Sequence, residues 1–251
     1  MSPRCYSLTL ALAVLLGFAV VVRGGDWGTI RGKVVWAEEK LPQKRPIKAN
    51  RDECACRGGL YDEPYVVDPD SKGVRWVLVW LLPEKDRKLP IHPEREKFAA
   101  AVEVETADCR FEPHVLGVRQ GQKVVFKNSG KVDNNVCVLE PRPAPTGPPP
   151  RELVVYDWEV TGRFVPFTCG AHSWMNGYLR VFDHPYFAVT NARGEFEIKD
   201  APAGNFRLVV WQEKAGYFAV EKGRQPREGV PITIRKDGVT EVRYELRLKK
   251  E

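Results

Sequence analysis

The chain lacks the sequence pattern of a helical protein. Beyond Val22 no long stretch shows apolar residues every 3.6 positions, and only the short segment from Glu94 to Ala101 is predicted to turn helical. This absence excludes a helical bundle. About ten runs rich in β-branched and aromatic residues are present instead, bounded by Gly, Pro, Asn and Asp. We therefore predict an all-β fold made of sandwiches or barrels.

A second long apolar run is also missing. The only such run extends from Leu8 to Val22, after Arg4 and before Gly24 and Gly25, which is the pattern of a secretory signal. A membrane anchor is the competing interpretation, but the run is shorter than the ~20 residues that span a bilayer. We predict a signal peptide over residues 1–24 and an exported protein, periplasmic or secreted, without stable membrane insertion after cleavage.

The basic residues form no stripe interleaved with aromatic side chains. The formal net charge is +6, and Arg4 and Arg23 leave with the predicted signal. The remaining bases are scattered among acids, as in HPEREK and EFEIKD. This pattern indicates a solvated mixed surface and argues against nucleic-acid binding.

Cysteine is scarce, and its count is informative. Of six cysteines, Cys5 lies in the predicted signal. An odd number therefore remains in an oxidising compartment, so at least one is unpaired, and a metal thiolate is a good use for it. The remaining cysteines are Cys54, Cys56, Cys109, Cys137 and Cys169.

One short segment combines three metal-ligand types. The sequence FTCGAHSWMNGYL places Cys169, His172 and Met175 at Cys-x2-His-x2-Met spacing, just before a predicted strand. Thiolate, imidazole and thioether together suit an ion that cycles between Cu(I) and Cu(II). The segment therefore predicts a copper site.

An upstream segment extends this pattern. CRFEPHVLGVRQGQKVVFKNSG contains Phe-x-Pro, a strand, a Gly turn, a second strand and Asn128. Together the two segments, over about 75 residues from Cys109 to Asp183, resemble the blue-copper (cupredoxin) family, in particular its periplasmic, plastocyanin-related, methylamine-utilisation-like members. The resemblance implies a Greek-key cupredoxin sandwich, bound copper, electron transfer or copper carriage, and a redox partner such as a c-type cytochrome. The matching upstream residues are Phe111, Pro113, Val118, Gly121, Val124, Phe126 and Asn128.

The sequence departs from the family at one ligand. Asn134 stands where the resemblance expects a histidine, in VDNNVCV. An amide oxygen is a poorer donor for Cu(I), so copper affinity and colour should both decrease. Three alternatives are open. Asn134 or a water molecule completes the copper site, another residue such as His114 or Cys137 replaces the missing histidine, or the site has lost its metal. The predicted ligand set is Cys169, His172, Met175 and Asn134, and His114 is interpreted as a structural histidine bonded to backbone.

The two ends of the chain look like halves of one further unit. GTIRGKVVWAEEKLP and TNARGEFEIKDAPAGNFRLVVWQ resemble the start and finish of a carboxypeptidase regulatory-like, transthyretin-type sandwich. We predict a discontinuous β-sandwich, residues 26–100 and 185–251, interrupted by a cupredoxin-like domain over 106–183. Three consecutive domains are the plainer alternative. The proline-rich segment 141–150 is predicted to be a stiff exposed loop within the insert.

Disulfide pairing affects the copper prediction directly. Cys-x-Cys at Cys54 and Cys56 is weak evidence for zinc, so we expect one of the two to pair with Cys109. A bond between Cys137 and Cys169 would consume the copper thiolate.

Three functional classes are compatible with these residues. Electron transfer or copper carriage is favoured, with an exposed His172 edge as the expected route for electrons. A metal-free adhesion or scaffolding module is the alternative. An enzyme with Cys169 as nucleophile and His172 as base is disfavoured because the sequence identifies no Asn or Asp to orient the histidine, so we predict a non-enzyme.

Overall fold

The computed structural model describes residues 26–48, 59–62, 64–83, 87–130, 132–138, 152–155, 159–219 and 223–248. Within them the chain is all-β, as predicted. The one α-helix described, α1, spans Pro93–Glu96 and lies where a helical turn is predicted; a 3₁₀ turn spans Pro226–Glu228. The predicted signal, Cys54, Cys56 and the proline-rich segment 141–150 lie outside the described residues.

The strands account for the β-branched and aromatic runs of the sequence. In chain order they are β1 (Trp27–Trp36), β2 (Arg45–Pro46), β3 (Tyr61–Asp62), β4 (Leu78–Leu82), β5 (Ala101–Ala107), β6 (Arg110–Glu112), β7 (Val115–Arg119), β8 (Lys123–Lys127), β9 (Val136–Val138), β10 (Glu152–Val155), β11 (Phe164–Cys169), β12 (Asn176–Phe182), β13 (Phe187–Val189), β14 (Glu195–Pro202), β15 (Gly204–Gln212), β16 (Gly216–Tyr217), β17 (Val230–Ile234) and β18 (Val239–Leu246).

Strands from the two ends of the chain share two sheets, which we call the outer sandwich. One sheet has the order β14-β1-β18, with β1 antiparallel to β14 and parallel to β18. The other has the order β13-β4-β15-β16, with β17 on β15. The predicted domain boundaries stay a prediction, and the pairing of β1 with two strands from the far end of the chain favours the discontinuous version.

Strands β5 to β12 form two further sheets, which we call the inner sandwich. One has the order β10-β8-β5-β6, and the other has the order β7-β12-β11-β9. Two pairs of neighbours, β5 with β8 and β7 with β12, run parallel, so the chain crosses between the sheets instead of meandering within one. The predicted copper segment joins β11 to β12 at the end of the second sheet.

The four sheets stack through three apolar layers. Successive residues of a strand point to opposite faces, and β4 shows this clearly: Val79 and Leu81 enter the core of the outer sandwich, while Leu78 and Trp80 face the inner one. The five-stranded sheet is therefore buried on both faces. The layer between the sandwiches, here called the seam, contains Leu78, Trp80, Val115, Phe182, Val209 and Trp211.

The inner core lies on the other face of the same β12 sheet. Leu179 and Val181 of β12 pack into it beside Phe126 and Phe167, whose rings are in edge contact. Cys169 and Met175 belong to this apolar cluster. The predicted ligands thus lie at the end of a close-packed core and away from the seam.

Candidate metal centre

The loop between β11 and β12 is a tight turn closed by its own backbone. The Cys169 amide donates to the Met175 carbonyl at 3.1 Å, and the Met175 amide donates to the His172 carbonyl at 3.0 Å. Cys169 ends β11 and Met175 immediately precedes β12. Two paired strands therefore fix both ends of the segment that carries the predicted ligands.

Three donor atoms converge at this turn. Cys169 Sγ lies 3.4 Å from His172 Nδ1, and His172 Nδ1 lies 3.0 Å from Asn134 Oδ1. The third edge of the triangle, from Cys169 Sγ to Asn134 Oδ1, is 3.8 Å. The structure thus brings the polar side-chain atoms of three of the four predicted ligand residues close together.

All four predicted residues are buried. The exposed fractions are 4% for Cys169, 0% for His172, 2% for Met175 and 2% for Asn134. Met175 belongs to the apolar cluster that includes Cys169, and its backbone is bonded to Cys169 within the turn. The centre is consequently screened from water on every side.

The Asn134 loop is tied directly to the cysteine loop. Asn134 lies between β8 and β9, and the Gly170 amide donates to the carbonyl of the next residue, Asn135, at 2.7 Å. In addition, β9 pairs with β11 up to Cys169 and Val136. Backbone bonds at the residues that follow Asn134 therefore hold its loop beside Cys169.

The cysteine thiol is available. Cys169 and Cys137 are both free. In the β9–β11 register Cys137 lies opposite Thr168, while Cys169 lies opposite Val136, so the two thiols point to opposite faces of the sheet. Cys137 and Cys169 are therefore not bonded to each other, and the Cys137 thiol lies on the face of the sheet away from Cys169.

Cys109 is disulfide-bonded, and its partner lies outside the described residues. The predicted pairing with Cys54 or Cys56 remains a prediction for that reason. The carbonyl of Cys109 accepts the indole N–H of Trp174 at 3.2 Å. The disulfide is thus anchored beside the metal-ligand turn.

The expectation of an exposed His172 edge is wrong. The imidazole is fully buried, and the Trp174 ring lies 5.1 Å from it, centroid to centroid. Trp174 is itself half-buried and packs beside Leu60 and Cys109. A segment distant in sequence therefore supplies part of the cover, which the Cys-x2-His-x2-Met spacing does not reveal.

His114 stands apart from the centre. Its Nε2 lies 3.1 Å from Glu213 Oε2, a carboxylate that is 8% exposed. This partner is an acidic side chain of the outer sandwich, where a backbone group was expected, and the structural role of His114 stays a prediction.

The donor set lies outside the usual His, Cys, Asp and Glu combinations. Over the described ranges, no group of three or more of those side chains is arranged to hold a metal ion. The triangle consists of one thiol, one imidazole and one amide oxygen, and the fourth predicted ligand, Met175, is a thioether buried in the adjoining apolar cluster. Any ion that binds here must accept soft sulfur ligands, which Cu(I), Cu(II) and Zn²⁺ do.

Comparisons with known proteins give distant likenesses. No protein-family model and no curated protein matches the chain. The copper-containing nitrite reductase (NirK) from Thermus scotoductus SA-01 is 22% identical over 33% of this chain and 22% of that one, with a TM-score of 0.29. An oxidized proline-to-alanine mutant of amicyanin is 21% identical over 35% of this chain and 88% of that one, again with a TM-score of 0.29. The chain spans about a fifth of the nitrite reductase, so that protein's activity is not transferred to it.

Within the described residues, no helix has the length and apolar character needed to cross a bilayer. The predicted export signal lies outside those residues.

Proposed function

We propose that this chain is a cupredoxin-like copper protein whose ion is held by Cys169, His172, Asn134 and Met175. The observation that carries the proposal is the triangle of Sγ, Nδ1 and Oδ1, with edges of 3.4, 3.0 and 3.8 Å. A point equidistant from those atoms lies about 2.0 Å from each, which is close to the roughly 2.0–2.3 Å lengths of metal bonds to nitrogen, oxygen and thiolate. An ion fits without large movement of the three atoms.

The burial of the centre favours electron transfer over copper carriage. A carrier must let the ligands of its recipient reach the ion, whereas the most exposed of the four donor residues here is only 4% exposed. Electrons need no such opening. A turn fixed between two paired strands also limits the geometric change that accompanies a change of oxidation state.

The proposed route for electrons leads through Trp174. His172 has no exposed edge, and the half-buried Trp174 is the aromatic ring next to it, at 5.1 Å. The proposed partner is a c-type cytochrome or another redox protein in the periplasm or outside the cell. The resemblance supplies that partner class, and no residue of the centre specifies it.

A metal-free scaffold is the second candidate, and one observation favours it. His172 Nδ1 and Asn134 Oδ1 lie at hydrogen-bonding distance, 3.0 Å, so these buried polar atoms satisfy each other without an ion. His172 Nδ1 therefore has a hydrogen-bond partner even when no copper is bound.

Catalysis by a cysteine–histidine pair does not fit this geometry. Asn134 lies beside the imidazole, but Asn134 and Cys169 both approach the same ring nitrogen, Nδ1. A relay needs the nucleophile on one ring nitrogen and the orienting residue on the other.

Copper titration of the full chain tests the proposal. We expect one Cu(II) per chain with a thiolate charge-transfer band, and loss of the band with at least about a hundredfold weaker binding in Cys169→Ser. Cys137→Ser is the matched control, since its thiol points to the other face of the sheet. Stoichiometric copper that is indifferent to Cys169→Ser would refute the ligand set, and absence of binding would favour the scaffold.

A further inference from the structure

The orientation of the Asn128 side chain is fixed by backbone groups. Its Oδ1 accepts the Gly130 amide at 3.1 Å, and its Nδ2 donates to the Val132 carbonyl at 2.9 Å. An amide N–H only donates and a carbonyl only accepts, so the two ends of the Asn128 side chain are distinguished. Its oxygen therefore faces the neighbouring Asn134.

Thr106 is fixed in the same way. Its hydroxyl donates to the Lys127 carbonyl at 3.2 Å, across the β5–β8 pair. The single hydroxyl proton is used in that bond, so the oxygen is left to accept. Thr106 is 1% exposed, and water does not compete for this position.

These two acceptors determine how the Asn134 amide lies. Its Nδ2 donates to Thr106 Oγ1 at 3.1 Å and to Asn128 Oδ1 at 3.3 Å. If the Asn134 amide were reversed, its oxygen would face the Asn128 oxygen with no proton between them. This contact would be unfavourable, because Asn134 is buried and Asn128 is half-buried. The carbonyl oxygen is therefore directed to the opposite side, where Cys169 Sγ and His172 Nδ1 lie.

We propose that Thr106 and Asn128 are positioning residues that hold the Asn134 amide with its oxygen toward the metal centre, so that Asn134 is a preorganised oxygen ligand. The inference rests on the proposed function. It also assigns a specific role to Asn134. Thr106 and Asn128, both outside the Cys-x2-His-x2-Met segment, orient an amide oxygen toward the ion where the resemblance expects a second imidazole.

Substitutions at Thr106 test the inference. Thr106→Val keeps the shape and removes the acceptor, and we expect copper binding about tenfold weaker, as for other partners of metal ligands. The charge-transfer band and the Cu(II) electron paramagnetic resonance spectrum should change with it. Thr106→Ser keeps the hydroxyl and should restore affinity to within about twofold of the parent. If Thr106→Val does not fold, Thr106→Ala makes the same comparison.

A double-variant cycle separates positioning from a general structural effect. In an Asn134→Leu background no amide remains to be oriented, so Thr106→Val should weaken copper binding no further. An equal tenfold loss in that background, or parent-like affinity and spectra in Thr106→Val alone, would overturn the inference.

A readout without metal keeps the inference distinct from the proposed function. In the metal-free chain, Thr106→Val should shift the side-chain amide resonances of Asn134, while Thr106→Ser should leave them close to the parent positions. If the parent chain binds no copper and Thr106→Val still shifts these resonances, the amide is positioned, but the metal role of Asn134, Thr106 and Asn128 is refuted. Unshifted resonances refute the positioning itself.

Discussion

Buried polar side chains behave differently in the outer sandwich and in the candidate metal centre. In the outer sandwich Thr190 donates to the Val74 carbonyl at 2.7 Å and accepts the Val77 amide at 2.9 Å. At its border with the inner sandwich, His184 accepts the Tyr186 amide at 3.1 Å. In the metal centre, by contrast, the side chains of Cys169, His172 and Asn134 face one another.

This difference separates structure from function. A buried polar group that satisfies backbone is explained by folding alone. Three polar side chains that face one another are not explained by the satisfaction of backbone groups. The comparison predicts that stability and copper binding respond to separate sets of substitutions.

Thr190→Val should have the largest effect on stability. The substitution leaves the buried Val74 carbonyl and Val77 amide without their hydroxyl partner, and each such group costs about 1–3 kcal/mol. We expect the free energy of unfolding to fall by about 2–6 kcal/mol with copper affinity unchanged. Denaturant unfolding and copper titration measure the two quantities, and a matching loss of affinity would break the comparison.

Acid should destabilise the fold through His184. The pKa of His184 is lowered from 6.5 to about 4, chiefly by burial; the charge of Asp183 raises it, and those of Arg119 and Arg180 lower it. The unfolded chain therefore binds this proton at higher pH than the folded one does. Stability should fall between pH 6.5 and 4, by up to about 3 kcal/mol.

His184→Asn is the matched variant for this effect. It retains a side-chain acceptor for the Tyr186 amide and does not titrate in this range. Denaturant midpoints measured from pH 7 to pH 4 should decline less steeply in His184→Asn. An identical decline would assign the acid sensitivity to other groups.

Asn134→His should strengthen copper binding by about tenfold, because imidazole is the better donor for both oxidation states. The charge-transfer band should deepen in the same variant. Competition with a chelator of known affinity gives the change. Unaltered affinity and colour would mean that position 134 does not face the ion.

Cys137→Ser should have the smallest effect. The Cys137 thiol lies on the opposite face of β9 from the centre. We expect the free energy of unfolding to change by less than about 0.5 kcal/mol, with an unchanged copper spectrum. Loss of colour in this variant would show that both free thiols serve the ion.

The strands and the ligand turn were predictable because their signals are local. Continuous apolar runs mark β4 and β15, and the order of Cys169, His172 and Met175 depends on one short loop. The family resemblance pointed to Asn134, whose Oδ1 lies 3.0 Å from His172 Nδ1, and its role as a ligand stays a prediction. The strands and the turn follow from composition and spacing within a few residues.

The remaining features arise from pairings distant in sequence. Thr106 meets Asn134 because β5 runs parallel to β8, and no spacing rule links two residues 28 positions apart. The burial of His172 depends on Trp174 and on the packing around Cys109. Sequence periodicity shows which face of a strand is apolar but not which distant residue will pack against it.

The doubly buried five-stranded sheet limits how this molecule can be divided. Its Trp80 and Trp211 lie in the seam against Phe164 and Phe182, with the Trp211 and Phe164 rings stacked 3.6 Å apart. An excised inner sandwich would carry an exposed aromatic surface and self-associate. An isolated inner sandwich would therefore need polar residues on the side of β7, β11 and β12 that faces the seam. Otherwise both sandwiches must be kept together.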